Sequence, residues 1–381
     1  MPPLWAAALQ WVSVQRQPIH TVYGGAHLFK PNLSSALGAK ALESLRTHLP
    51  DPESFASCFG LPESLARAVY DRTAEKLTRE PVEDFRIDFE DGYGIRSDEE
   101  EDAHALSAAA AVKQGPNPLF LGIRIKPFTA QSRTRALRTL KLFMAKVGSA
   151  PENFVVTLPK VTDPEQVTAL IEALEEFGSP MIELMIETPL SIIDASGQFA
   201  IPKLIHAARG RCRGLHFGAY DYTASCEIVA EHQTLTHPAC DFARHVMQVS
   251  AAGRNIMLSD GATNILPVAK DGAAKKALRL HFDNVQRALA NGYYQGWDLH
   301  PAQLPARYAA VYAFFLRSFE SAAERMRNFT EKSARATMTG GVFDDAATVE
   351  GILNFFRRGL NCGAFSREDL EAAGIGVSRL G

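Results

Sequence analysis

A chain of 381 residues and 41.6 kDa is long enough for one large domain or two ordinary ones. Apolar residues supply 46% of it and charged residues 22%, ordinary globular values that exclude a disordered chain. With 40 Lys and Arg against 43 Asp and Glu, the formal charge of −3 gives no cationic excess that would call for nucleic acid or a membrane surface. No apolar run reaches the roughly 18 residues of a membrane span. The apolar opening, residues 2–12, lacks the basic start of a secretory signal and is broken by Gln10. Cys58, Cys212, Cys226, Cys240 and Cys362 are an odd, widely spaced set without a CxxC pair and read as reduced thiols. A cytoplasmic globular protein is expected.

Short β-branched or apolar runs alternate with helical segments along the chain. A first strand over residues 20–24 precedes helices over 34–49 and 62–78. A second over 85–90 precedes a helix over 97–113, whose acidic run Glu99–Asp102 reads as a solvated first turn favoured by the helix dipole. A third over 119–125 precedes a helix over 132–147. The fourth, 154–158, is followed by Asp163-Pro164, a helix start with proline at the first position, and a helix to residue 177. The remaining strands, 182–186, 214–219, 255–258 and 293–299, alternate with helices over 201–209, 238–252 and 272–290. Eight such pairs predict a (β/α)₈ barrel over residues 1–301. The doubly wound competitor lacks its GxGxxG turn, since residues 20–27 offer only Gly24-Gly25. After Pro301 no further strand is apparent. Residues 302–381 read as a helical extension or lid, with a long helix over 302–330, a loop over 337–341 that could hinge, and helices over 345–358 and 366–373.

A barrel carries its chemistry at the carboxyl ends of its strands. There the sequence places Asp88, Glu90 and Asp91, then Arg124 and Lys126, Lys160, Glu187, Asp221, Asp260, and finally Asp298 with His300. Glu187 and Asp221 follow neighbouring strands and could hold a hard divalent cation through oxygen. Magnesium, or manganese as an alternative, suits two carboxylates better than zinc, for which no HExxH or CxxC pattern is present. Arg124 can present a planar fork to a substrate carboxylate, or pair structurally with Glu90 or Asp91, or do both.

Six motifs in order carry a resemblance: Ile87-Asp88-Phe89-Glu90-Asp91, Gly122-Ile123-Arg124-Ile125-Lys126, Leu158-Pro159-Lys160-Val161, Met185-Ile186-Glu187-Thr188, Phe217-Gly218-Ala219-Tyr220-Asp221 and Gly296-Trp297-Asp298-Leu299-His300-Pro301. Over roughly residues 80–305 the chain resembles the HpcH/HpaI aldolase and citrate lyase β-subunit superfamily, which has the phosphoenolpyruvate/pyruvate-type barrel. The resemblance implies Glu187 and Asp221 as metal ligands and Arg124 as the grip on a 2-oxo acid. It implies Asp88 and Glu90 beside Arg124 and Lys160 in the substrate pocket, and His300 nearby. Asp91 stands where aldolase members of the HpaI type carry a proton-transferring His, which places the chain nearer the citrate lyase and malyl-CoA lyase branch. Phe89 and Gly92-Tyr93-Gly94 depart from that branch's wording and mark a divergent subgroup.

The expected activity is a magnesium-dependent carbon–carbon lyase or aldolase that stabilises the enolate of a 2-oxo acid. The substrate would be a 2-oxo or hydroxy acid or its coenzyme A thioester, and the protein a homo-oligomer. Alternatives are a class II 2-oxo acid aldolase without coenzyme A, and a non-catalytic barrel binding an acyl-CoA or 2-oxo acid. Expected catalytic groups are Arg124, Asp91 and Asp298, with Asp344 or Asp345 and His20 or His27 as other candidates for the base. A Schiff-base mechanism on Lys126 or Lys160 is the chemical rival, disfavoured for Lys160 by the carboxylates near it.

Overall fold

The computed structural model describes residues 16–268, 272–331, 337–339, 342–344 and 346–376. Eight parallel strands close a barrel in chain order: β1 His20–Gly25, β2 Asp84–Asp88, β3 Phe120–Arg124, β4 Phe154–Leu158, β5 Met181–Ile186, β6 Cys212–Phe217, β7 Met257–Ala262 and β8 Gln295–Asp298. The ring closes where β1 pairs with β8, His20 opposite Gly296 and Val22 opposite Asp298. The fold is the (β/α)₈ barrel that the alternation predicts.

Local signals set the helices. Ser97 caps Asp98–Gln114 by accepting from the Glu100 N–H at 3.2 Å, while the Glu100 carboxylate accepts from the Ser97 N–H at 3.0 Å. Asp163 caps Pro164–Ala173 in the same reciprocal way. A further helix, Pro52–Phe59, starts ahead of the predicted one, with Asp51 as its cap and Pro52 in its first turn. The helix Leu304–Glu331 lies in the barrel wall against Glu63–Arg79 and Ala273–Ala290, burying Tyr308, Val311, Tyr312 and Phe315. Among the described residues no helix is long and apolar enough to cross a membrane.

Successive strand residues point to opposite sides, and here the two sides differ in chemistry. Ile87, Leu121, Ile123, Val156, Ile182, Leu184, Leu215 and Phe217 are buried in the hydrophobic core. The alternate positions turn Asp84, Arg86, Asp88, Arg124, Thr157, Glu183 and His216 into the barrel, all 3% exposed or less. Arg86 is clasped by Asp84 and Glu183, and Glu183 also meets Thr157 at 3.2 Å and His216 at 3.1 Å. Burial alone would raise the Glu183 pKa, but Arg86 and His216 more than offset it and hold the carboxyl well below its ordinary range. The interior is thus a paired ionic column in place of stacked branched hydrocarbons.

Three expectations need correction. The tail does contain strands: Thr337–Thr339 and Val342–Asp344 pair antiparallel, too short to register as runs, with Gly340-Gly341 between them in sequence. Glu101 is not solvated, because it turns inward to Lys126 at 3.0 Å, Arg135 at 2.8 Å and Thr139 at 2.6 Å. Asp260 is not at a strand end but inside β7, on the helix side, held by Arg244 at 2.8 Å.

Candidate active site

The polar groups that the sequence places after strands β2 to β6 meet over the barrel mouth. Arg124, the last residue of β3, is 2% exposed, and Asp88 grips it from β2 with two bonds, 2.7 Å to Nε and 2.6 Å to Nη2. Its remaining nitrogen, Nη1, lies 3.1 Å from Glu90 and 3.8 Å from Asp91. Burial opposes the guanidinium charge, but Asp88 and Glu90 outweigh it and push the pKa above its ordinary value. The Tyr23 and Trp297 rings, 4.9 and 5.5 Å from the guanidinium carbon, complete the setting of Arg124. Asp88 therefore occupies the Nε/Nη2 edge of the guanidinium, and a substrate carboxylate would have to approach the Nη1 side, where Glu90 already sits.

Lys160 follows β4 with φ +49°, a left-handed conformation uncommon for a lysine. That turn sends its N–H to Glu187 Oε1 at 2.6 Å and its ammonium to Glu90, to both Asp91 oxygens at 3.2 and 3.3 Å, and to Asp221 at 3.8 Å. Burial works against the ammonium, but Glu90, Asp221 and Asp91 overcome it and hold its pKa above normal.

Glu187 follows β5 and is 1% exposed. Its second oxygen, Oε2, is buried without a hydrogen-bond partner. Burial, and then the Asp221 charge, push its pKa up to about 8. Asp221 sits in the first turn of Ala219–Ser225 after β6, 42% exposed, and burial also raises its pKa. Gly218 makes room between them: a Cβ there would collide with Glu187 Cβ and Oε2. An orphaned buried carboxylate oxygen, a second carboxylate electrically coupled to it and the all-oxygen donor set fit magnesium with waters or substrate completing the shell. Among the described residues no group of three or more His, Cys, Asp or Glu is placed to hold a metal by itself.

Other candidates lie elsewhere. Trp297 faces the barrel interior, so Asp298, one residue on, points to the helix layer. There it is 0% exposed and held by His20 at 2.9 Å, His281 at 2.8 Å and Arg307 at 2.8 Å. Burial disfavours its charge, yet Arg307, His20 and His281 keep it ionised well below its ordinary range, a poor setting for a base. His20 spends both ring nitrogens, on Asp298 and on the Glu83 N–H at 3.1 Å. His300 caps the turn after β8 by accepting from the Ala302 N–H at 3.1 Å. Lys126 donates to the Phe89 carbonyl at 2.6 Å and pairs with Glu101. His27, just past β1, keeps a buried Nδ1 without a partner, and burial, Arg96 and His104 lower its pKa. Asp344 ends the second hairpin strand; Asp345 and residues 340–341 of the supposed hinge lie outside the described residues.

Sequence reasoning missed Tyr23, the Trp297 indole and the Arg86–Glu183–His216 column. The signal was present in the period-two charge of β2, Asp84-Phe85-Arg86-Ile87-Asp88, and of β5, where Glu183 and Glu187 share a face.

A family described as a domain of unknown function (DUF6986) is matched over residues 8–381. No curated protein matches the sequence. Among solved structures, the chain is similar to a citrate lyase from Burkholderia xenovorans LB400, with 18% identity, a TM-score of 0.61, and coverage of 94% of this chain and 96% of that one. It is also similar to the protein CitE of Mycobacterium tuberculosis, crystallised with magnesium, acetoacetate and coenzyme A, with 17% identity, a TM-score of 0.54, and coverage of 91% and 98%. The likeness is one of fold: this barrel is shared with the citrate lyase group that the sequence motifs resemble.

Proposed function

We propose that this chain, which belongs to the family described as a domain of unknown function (DUF6986), is a magnesium-dependent carbon–carbon lyase acting next to the carbonyl of a 2-oxo acid. The observation that carries the reading is the convergence of Glu187, Asp221, Lys160, Glu90 and Arg124 over the barrel mouth, with one buried carboxylate oxygen left unpartnered. Glu187 and Asp221 would hold the cation, with manganese the alternative. Bound there, it would supply Lewis acidity toward a substrate carbonyl.

The chain's own residues divide the remaining work. Arg124 meets the substrate carboxylate from its Nη1 side, beside Glu90, while Asp88 fixes the guanidinium plane. Lys160 keeps its positive charge and offers a second contact to an anionic substrate, with Glu90 and Asp91 steering it. Tyr23 and Trp297 wall the Arg124 side with aromatic surface and exclude water there. His20 and Asp298 are engaged with each other and are not available as the base, and His27 packs against Tyr93 and His104. The charged state of Lys160 counts against a Schiff base. The compound cleaved would be a hydroxy acid bearing that 2-oxo group, which leaves as the 2-oxo acid enolate and a carbonyl partner. A coenzyme A thioester, suggested by the complex of the Mycobacterium protein, would instead leave its enolate on the acyl group and release the 2-oxo acid.

Enolate formation can be tested without the second product. In D₂O the protein should exchange the methyl protons of pyruvate, read by NMR, only when magnesium is present. Exchange should fall at least about a hundredfold in Glu187→Gln and Asp221→Asn. Metal-independent exchange, or none in the wild type with either magnesium or manganese, would overturn the reading.

A further inference from the structure

The opposite end of the barrel carries a second built feature. Strands β5 and β6 fall out of step there: Ile182 pairs with Cys212 but Glu183 with Gly214, so Arg213 is the extra residue of a bulge. A bulge re-aims its side chain, and Arg213 lies under the barrel with its guanidinium 4.7 Å from the Phe120 ring centroid. It is 6% exposed. Its Nη1 donates to the Asn153 carbonyl at 2.9 Å, while Nε is buried with no partner. The nearest opposing charges, Glu183 and Asp84, do not fully offset its burial, and its pKa is held below the ordinary arginine value.

Arg213 lines a cavity of about 790 Å³ formed by the loops that lead into β4, β5 and β7. Phe154, Phe177, Pro180 and Met257 give it apolar walls, and Glu152 and Glu176 add two acidic groups. A nearly buried guanidinium that lines the cavity and is bonded to a neutral carbonyl stands to gain from an anion, and a carboxylate can meet its cavity-facing side with a charge-assisted bond. The two glutamates work against a polyanion such as a polyphosphate, and the apolar walls against a bare inorganic one. We propose that this cavity is a binding site for a small organic monocarboxylate, its charge on Arg213 and its apolar body between Phe154, Phe177 and Met257. The site is separated from the mouth by the length of the barrel and does not depend on the lyase reading.

Calorimetric titration of the full chain with benzoate, and separately with inorganic phosphate, tests it. Benzoate should bind once per chain, and at least tenfold more weakly to Arg213→Gln and to Ala150→Phe, which narrows the cavity and leaves the arginine in place. Glu187→Gln, at the mouth, should bind benzoate as the wild type does. Should Arg213→Gln fail to fold, Ala150→Phe decides the matter. Absence of benzoate binding, equal binding by Ala150→Phe or a folded Arg213→Gln, loss of binding in Glu187→Gln, or phosphate binding in place of benzoate each overturns the proposal.

Discussion

Gly218 lies so close to Glu187 that a single methyl group on it would strike the carboxylate oxygen which has no partner. The close approach lets β6 end against β5 and brings Asp221, three residues later, to the same point. Gly218 has φ −96°, so alanine is tolerable for the backbone and the obstruction is steric alone. Gly218→Ala should therefore fold but weaken magnesium binding about tenfold or more, read by calorimetry. Unchanged affinity would remove Glu187 from the metal site.

Glu187 also gives a signature in stability. Its pKa stands near 8 in the folded chain against an ordinary value of 4.5. Between those limits the unfolded chain has released the proton and the folded chain still holds it. The unfolded state then binds fewer protons, so this group makes stability fall as pH rises through the window and level off above about 8. Glu187→Gln removes that loss. Urea unfolding in EDTA should show the variant gaining on the wild type between pH 5 and 8, by a few kcal/mol at most. Saturating magnesium should reverse the order, because it stabilises only the wild type.

Lys160 should not form an imine. Glu90, Asp91 and Asp221 surround its ammonium, and its charge persists at neutral pH. Borohydride added with pyruvate should leave the mass of the protein unchanged. A trapped adduct on Lys160 would replace the metal mechanism with a Schiff-base one.

Asp298→Asn separates structure from chemistry. The substitution leaves Arg307 buried without its countercharge and should cost about 3 kcal/mol of stability. At a temperature where the variant remains folded, magnesium-dependent pyruvate exchange should stay within a few-fold of the wild type. A loss comparable to that in Glu187→Gln would return Asp298 to the list of reacting groups.

The eight strands were legible because each is a short apolar run between breakers, and the barrel follows from their count. Residue types after the strands also pointed to the mouth, and Glu187, Asp221, Lys160 and Arg124 do converge there. What a linear reading loses is direction. Asp298 and Asp260 sit among equally acidic strand-end residues, yet one step of alternation turns each of them to the helix layer. Applying the period of two to Gly296-Trp297-Asp298 would have chosen the indole over the carboxylate for the inner face. The bulge at Arg213 leaves no mark in composition at all, since it depends on the register between two strands.

The Asp298 clasp bears on how such a chain can be completed. It draws together the first strand through His20, the helix Ala273–Ala290 through His281 and the helix Leu304–Glu331 through Arg307, at the seam where the last stave meets the first. During synthesis a nascent chain that carries all eight strands can pair the first with the last, but the ion cluster at their seam stays incomplete until Arg307 has emerged. The last buried charge of the ring is thereby balanced by a helix beyond the ring itself, and truncation before that helix should leave Asp298 without its guanidinium.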